Sequence, residues 1–195
     1  VRTGADTGVA AADADRAPDA VRGALAAWHR AECAVAVAGV AAMTGVLVID
    51  VVAREVLAPI AFAAGGSAVG LGIDSAPKVA TYALVAATYA GLGVASARGT
   101  HLVPRLAFGA VPARWGPAVD RVADTLTAVV LAAVAVGGAM LVRASAGLGL
   151  RAHSVGWPLW ALQLAIPVGF ASAAMRHAAF AAWPALRPRA PAHQE

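Results

Sequence analysis

Charge disappears from long stretches of this chain, and the gaps recur at one length. Residues 33–53 are interrupted only by Asp50, and residues 79–97, 125–142 and 155–175 carry no charge. A membrane-crossing helix needs about 20 mostly apolar residues. The pattern therefore predicts four spans, at about 33–53, 79–97, 122–142 and 155–177. A soluble helical bundle would show a polar face on each helix, whereas helices that are apolar all round belong in a large core or in lipid. A chain of 195 residues has too little interior to hide four of them. The expected fold class is an all-α integral membrane protein with four transmembrane helices.

A fifth apolar run, 56–73, is also free of charge. It holds Pro59, Gly65, Gly66, Gly70 and Gly72, residue types that weaken a helix. An apolar external loop is the expectation here, with a re-entrant turn or a fifth span as the alternatives.

Composition agrees with this picture. Hydrophobic residues make up 60% and charged residues 13%, against about 25% charged in ordinary soluble domains. Mean hydropathy is +0.71. Much of the apolar content is Ala, Val and Gly, and small residues let helices approach closely in lipid. Gly137, Gly138 and Ala139 are candidates for such a contact in the third span. Cys33 is the only cysteine, so no intrachain disulfide forms. Residues 1–20 contain four aspartates and no apolar core. That is unlike a secretory signal, and the first span is expected to act as an uncleaved insertion signal. The domain reading is a disordered cytoplasmic tail over 1–24, a transmembrane domain over 25–183 and a second cytoplasmic tail over 184–195.

Basic residues near helix ends set orientation. The N-terminal tail, the 98–121 loop and the C-terminal end hold eleven of the fifteen Lys and Arg residues. Arg54, Lys78, Arg143 and Arg151 are left for the opposite side. Both termini and the loop between spans two and three are therefore expected in the cytoplasm. Within that loop, Leu102, Leu106 and Phe108 alternate with Arg105 and Arg114. This suits a short interfacial helix. Trp28 and Trp183 fall near the inner ends of spans, and Trp157 and Trp160 near the outer end of the fourth, as aromatic belts do. Pro158 suits a first turn, and Pro167 should kink the fourth helix.

Chemistry-bearing motifs are missing. The chain has no HExxH, GxxxxGK[ST], GxSxG or CxxC, and an enzyme is not expected. His101 and His153 fall on opposite sides of a four-span topology and cannot share a metal. The net charge of +4 and pI of about 10.2 come from arginines at helix ends, which suit anionic lipid rather than nucleic acid. Asp50 is the intramembrane charge, and Arg54 stands one turn later within pairing reach.

Three segments carry a family resemblance. "VIDVVAREVLAP" places Arg54 at the end of the first helix. "RGTHLVPRLAFGAVPARW" supplies Gly99, His101, Val111, Pro112 and Arg114 after the second. "GWPLWALQLAIPVGF" supplies Gly156, Pro158, Trp160, Pro167 and Gly169 in the fourth. Together they resemble the small permease subunit of tripartite ATP-independent periplasmic (TRAP) transporters. The chain departs from that pattern in "DSAPKVATYALV", where the family often enters its second helix with two glutamates. It also lacks the acidic residue usual after the histidine.

The resemblance implies four transmembrane helices with both termini inside, in a bacterial inner membrane. It implies a partner, the large permease subunit, which holds the substrate and sodium sites. A periplasmic substrate-binding protein delivers the solute, often an organic acid, to the assembled complex. This subunit would then be a non-catalytic scaffold with no cofactor of its own. The residues expected in structural or subunit-contact roles are Asp50, Arg54, Gly99, His101, Arg114, Gly156, Pro158, Trp160, Pro167 and Gly169. Other readings are the small subunit of a tripartite tricarboxylate-type carrier, a non-transport membrane scaffold, and a small channel. A channel should show a polar stripe, and the polar residues Thr44, Thr81, Thr88, Ser96, Thr125, Thr127 and Gln163 are too scattered to form one.

Overall fold

The computed structural model describes residues 17–66, 72–99, 113–152 and 155–188. Its elements are helical. Among the described residues the only β-type pairing is an isolated bridge between Arg151 and Pro158. Four stretches are long and apolar enough to cross a membrane: Asp19–Ala63, Ala76–Arg98, Gly116–Gly147 and Leu159–Ala182. The protein is a multi-pass membrane protein. The expected interfacial helix around 102–108 lies outside the described residues, as does His101.

α1 (Asp19–Val52) follows Pro18 and carries Asp19 in its first turn, where a carboxylate favours the positive end of the helix dipole. It runs on without a break through a π-helical turn, Ala53–Leu57, into α2 (Ala58–Ala63). The first half of the 56–73 run is thus helix rather than the expected loop. Pro59 is the physical reason for the wide turn. It cannot donate to the carbonyl four residues back, and its ring would crowd that carbonyl. The ladder therefore loosens over 53–57. Helix geometry then ends near Gly65, whose φ of 76° is left-handed backbone that a glycine takes without steric penalty.

α3 (Ala76–Arg98) starts with Pro77 in its first turn and stops at Gly99, again left-handed. α4 (Gly116–Gly147) follows a 3-10 turn over Ala113–Trp115. The last span is split into α5 (Leu159–Gln163) and α6 (Ala165–Ala182). The interruption falls at Leu164. It sits beside the carbonyl of Gln163, the group Pro167 would have bonded had it an N–H. A final 3-10 turn spans Pro184–Leu186.

The helices pack in the order α1, α3, α6, α4. The middle pair is the more buried, and few residues of the flanking spans are buried within the subunit. Small residues make the contacts. A Cβ at Gly39 of α1 would lie 2.9 Å from Ala83 O and from Ala87 Cβ on α3. A Cβ at Gly169 of α6 would lie 2.7 Å from Tyr89 O on α3, and one at Gly138 of α4 would lie 3.2 Å from Ile166 on α6. Of the three small residues expected at a contact in α4, only Gly138 is buried. Gly137 and Ala139 face outward, whereas Ala135 and Ser145 share the face of Gly138. The packing is backbone against backbone, as in lipid, where association relies on close contact rather than on the hydrophobic effect.

Candidate functional site: polar anchors between apolar helices

Helices with so little sequence asymmetry need something to fix their register. Three polar clusters do this, two at the Trp28 end of the bundle and one at the Asp50 end.

The deepest cluster joins α1 to α6. Trp28 and Glu32 lie one turn apart on α1, and Ser172 and Arg176 lie one turn apart on α6. Trp28 Nε1 donates to Ser172 Oγ at 2.8 Å and to Glu32 Oε1 at 3.1 Å. Ser172 Oγ also donates to Glu32 Oε1, and Arg176 Nη2 donates to Glu32 Oε2. Glu32 is 7% exposed and Arg176 4%. Gly93 of α3 faces the carboxylate so closely that a Cβ there would overlap Glu32 Oε1. A buried charge is tolerated when paired and hydrogen-bonded; Glu32 and Arg176 pair through Nη2, while Arg176 Nε is buried without a hydrogen-bond partner among the described residues. Beside the cluster a half-open groove of about 170 Å³ runs between α1, α3 and α6, lined by Trp28, Val35, Tyr89 and Val168.

Sequence reading missed this cluster. Glu32 stands one residue before the charge-free run, and Arg176 one residue after another, so both read as flanking charges. The signal that could have found them is the repeated four-residue spacing. Trp28 with Glu32, and Ser172 with Arg176, each place two polar groups on one helical face.

The second cluster ties α4 to the C-terminal segment. His177 Nδ1 lies 3.0 Å from Asp124 Oδ1. Arg187 donates to Asp124 Oδ2 through Nε at 3.1 Å and through Nη2, and to Asp120 Oδ2 through Nη1 at 2.5 Å. Asp120 and Asp124 share a face of α4, so one guanidinium bridges two turns. Gly99 closes the same end, where a Cβ would lie 2.9 Å from Pro188 Cγ. Arg114 stands in the 3-10 turn before α4 and is exposed.

At the other end, Asp50 holds the return of the chain. Arg54 Nε donates to Asp50 Oδ1 at 3.0 Å, and the backbone N–H of Ile73 donates to the same oxygen at 2.7 Å. Arg54 also reaches Ile73 O at 3.4 Å and lies 3.8 Å from Asp74. Gly72 lies beneath the guanidinium, where a Cβ would come within 2.7 Å of Arg54 Nε. At the same end Gly156, with φ of 70°, turns the chain between α4 and α5. Arg151 Nη1 donates to Gly156 O at 3.1 Å, and the N–H of Leu159 donates to Leu150 O at 2.9 Å. Pro158 caps α5, and Trp160 in its first turn is 39% exposed.

The structure thus brings together Asp50 with Arg54, Gly156 with Pro158 and Trp160, and Pro167 with Gly169 on α6. Arg114 and Gly99 stand apart from these groups. Among the described residues no group of three His, Cys, Asp or Glu side chains is arranged to hold a metal ion. The Glu32–Arg176 and Asp124–His177 contacts join helix to helix, whereas Asp50 and Arg187 tie non-helical segments back onto α1 and α4.

Residues 43–185 match the family described as "Tripartite ATP-independent periplasmic transporters, DctQ component". No curated protein and no solved structure matches the chain. The matched region takes in the last three spans whole and most of the apolar part of the first. The chain therefore belongs to the DctQ component family and is a small, non-catalytic permease subunit of a TRAP transporter.

Proposed function

We infer that this subunit docks along a large permease subunit and scaffolds it in a bacterial inner membrane, with both termini in the cytoplasm. The large subunit supplies the substrate and sodium sites, and a periplasmic substrate-binding protein delivers an organic acid or similar solute to the assembled complex. The observation that carries this reading is the disposition of polarity. The charged side chains that enter the helix layer are spent inside the subunit: Glu32 with Arg176 and Asp124 with His177 join helices, and Asp50 holds Arg54 and the Ile73 amide. The flanking spans meanwhile are strongly apolar and bury few of their residues within the subunit. Such a surface suits lipid on one side and a second membrane protein on the other. In this reading Asp50 and Arg54 anchor the outer end of α1, and Gly99, His101 and Arg114 set the cytoplasmic turn. Gly156, Pro158 and Trp160 start the last span, and Pro167 and Gly169 shape its surface.

A native pull-down tests the reading. The chain is tagged at its C-terminus, its host membrane is solubilised gently, and co-purifying chains are identified by mass spectrometry. A stoichiometric, much larger polytopic partner is expected. Recovery of the chain alone, or only as a self-oligomer across several detergents, would sink the proposal. Replacing Arg54 with alanine is expected to lower recovery of the complex, and unchanged assembly and uptake would remove its anchoring role.

A further inference from the structure

α1 does not stop where its neighbours stop. Glu32 faces Gly93, Gly39 faces Ala83 and Ala87, and Asp50 binds the Ile73 amide. These contacts fix the level of each α1 residue against α3. α3 begins at Ala76, level with the turn just before Asp50. Gly169 against Tyr89 and Gly138 against Ile166 bring the end of α4 and the start of α5 to that level too. From Glu32 to Asp50 the helix climbs about 27 Å at about 1.5 Å per residue. That is close to the roughly 30 Å hydrocarbon core. Past Asp50 it continues to Ala63, about 20 Å further.

This extension is an apolar arm. Val56, Leu57, Ile60 and Phe62 are 48%, 49%, 61% and 76% exposed, and α2 buries no residue. Charge is confined to its base, where Arg54 turns back to Asp50 and Asp74. Residues 56–66 have none. A helix resting on the bilayer surface would need a polar face toward water, and the arm has none. A soluble partner that comes and goes would leave the arm in water between encounters. A helix apolar all round requires standing cover. The family is one component of a tripartite assembly, so a permanent membrane partner is at hand.

We propose that residues 56–63 form an arm that inserts into an apolar recess of the large permease subunit, beyond the level at which the other three spans end. The proposal rests on the docking reading above. The π-turn at 53–57 aims the arm, and the Asp50–Arg54–Ile73 cluster fixes its base.

The test replaces Phe62 with a photoreactive phenylalanine analogue in the C-terminally tagged chain, in the assembled complex in its host membrane. After irradiation, adducts are identified by mass spectrometry. An adduct between position 62 and the large polytopic subunit is expected. Adducts only to lipid, to a second copy or to the substrate-binding protein overturn the arm. If the large subunit is still recovered on the tag, the docking reading survives that result; if it is not recovered, both fall. As a second measurement, the double substitution I60D/F62D is expected to cut recovery of the large subunit about tenfold or more, with F62L retaining it. Recovery unchanged in I60D/F62D overturns the proposal. Recovery is expressed per tagged subunit inserted in the membrane, and the crosslink at position 62 decides alone should the double variant fail to insert.

Discussion

Glu32 and Arg176 meet as a buried ion pair although 144 positions separate them in the chain. Their contact joins the first span to the last. Removing one partner of such a pair leaves the other charged, buried and alone, which typically costs about 3–5 kcal/mol. R176M is therefore expected to lower the unfolding temperature in detergent sharply. The double variant E32M/R176M should recover much of the loss, because no charge is then stranded. A double variant as unstable as the single one would show that the pair itself, rather than the stranded carboxylate, supplies the stability.

Gly93 makes a sharper test of the same cluster. In an open helical position, Gly to Ala stabilises by about 1 kcal/mol. At Gly93 the added methyl would overlap the Glu32 carboxylate, so G93A should destabilise. Gly91, two residues earlier on α3, has nothing within 4 Å of its would-be Cβ, so G91A should be neutral or stabilising. Thermal unfolding of the two variants decides it, and equal effects would mean that α1 does not press on α3 at this point.

Gly169 tests the middle of the layer. A Cβ there would crowd Tyr89 O, so G169V should push α6 from α3 and destabilise the fold. G137V on the outward face of α4 should be mild in comparison. If G137V proves the more damaging, the face of α4 that carries Gly138 has been misassigned.

Arg187 holds the C-terminal segment to α4 through Asp120 and Asp124. R187A should release residues after Trp183 and speed their removal by a protease added from the side that carries both ends of the described chain. The helices themselves should stay intact. Cleavage at the wild-type rate would show that the bridge does not restrain the segment.

Asp50 binds the Ile73 amide. D50A should therefore raise the hydrogen-exchange rate of that amide while leaving mid-α3 amides such as Ala87 protected. Unaltered exchange at Ile73 would place the anchor of the returning chain elsewhere.

The four spans were legible because charge-free runs of bilayer length are hard to produce otherwise. The Asp50–Arg54 pair was legible because one helical turn separates the two. The register of the layer was not, since helices made of Ala, Val and Gly on every side give no face to orient. The true orienting groups, Glu32 and Arg176, stand at the edges of apolar runs. There a single charge looks the same whether it faces headgroups or another helix. The α1 extension was hidden by Pro59 and the glycines after it, which read as breakers. The π-turn before Pro59 absorbs the missing donor, so the helix passes through. His101, expected to set the cytoplasmic turn, and the interfacial helix expected from Leu102, Leu106 and Phe108 lie outside the described residues.

The side-by-side order α1, α3, α6, α4 has a mechanical consequence. Four helices in a ring hide their inner faces and turn in lipid like a post. Here α1, α3, α6 and α4 follow one another as a layer, pinned where α1 also reaches α6, and such a layer is a raft with a long lipid perimeter. A raft fixed along one side of a larger protein works like the outrigger of a boat. It lengthens the lever arm against which the bilayer resists tilting, and every ångström of hydrophobic mismatch costs a fraction of a kcal/mol along the whole perimeter. A partner with moving parts would thus gain a steady frame from a chain that itself does no chemistry.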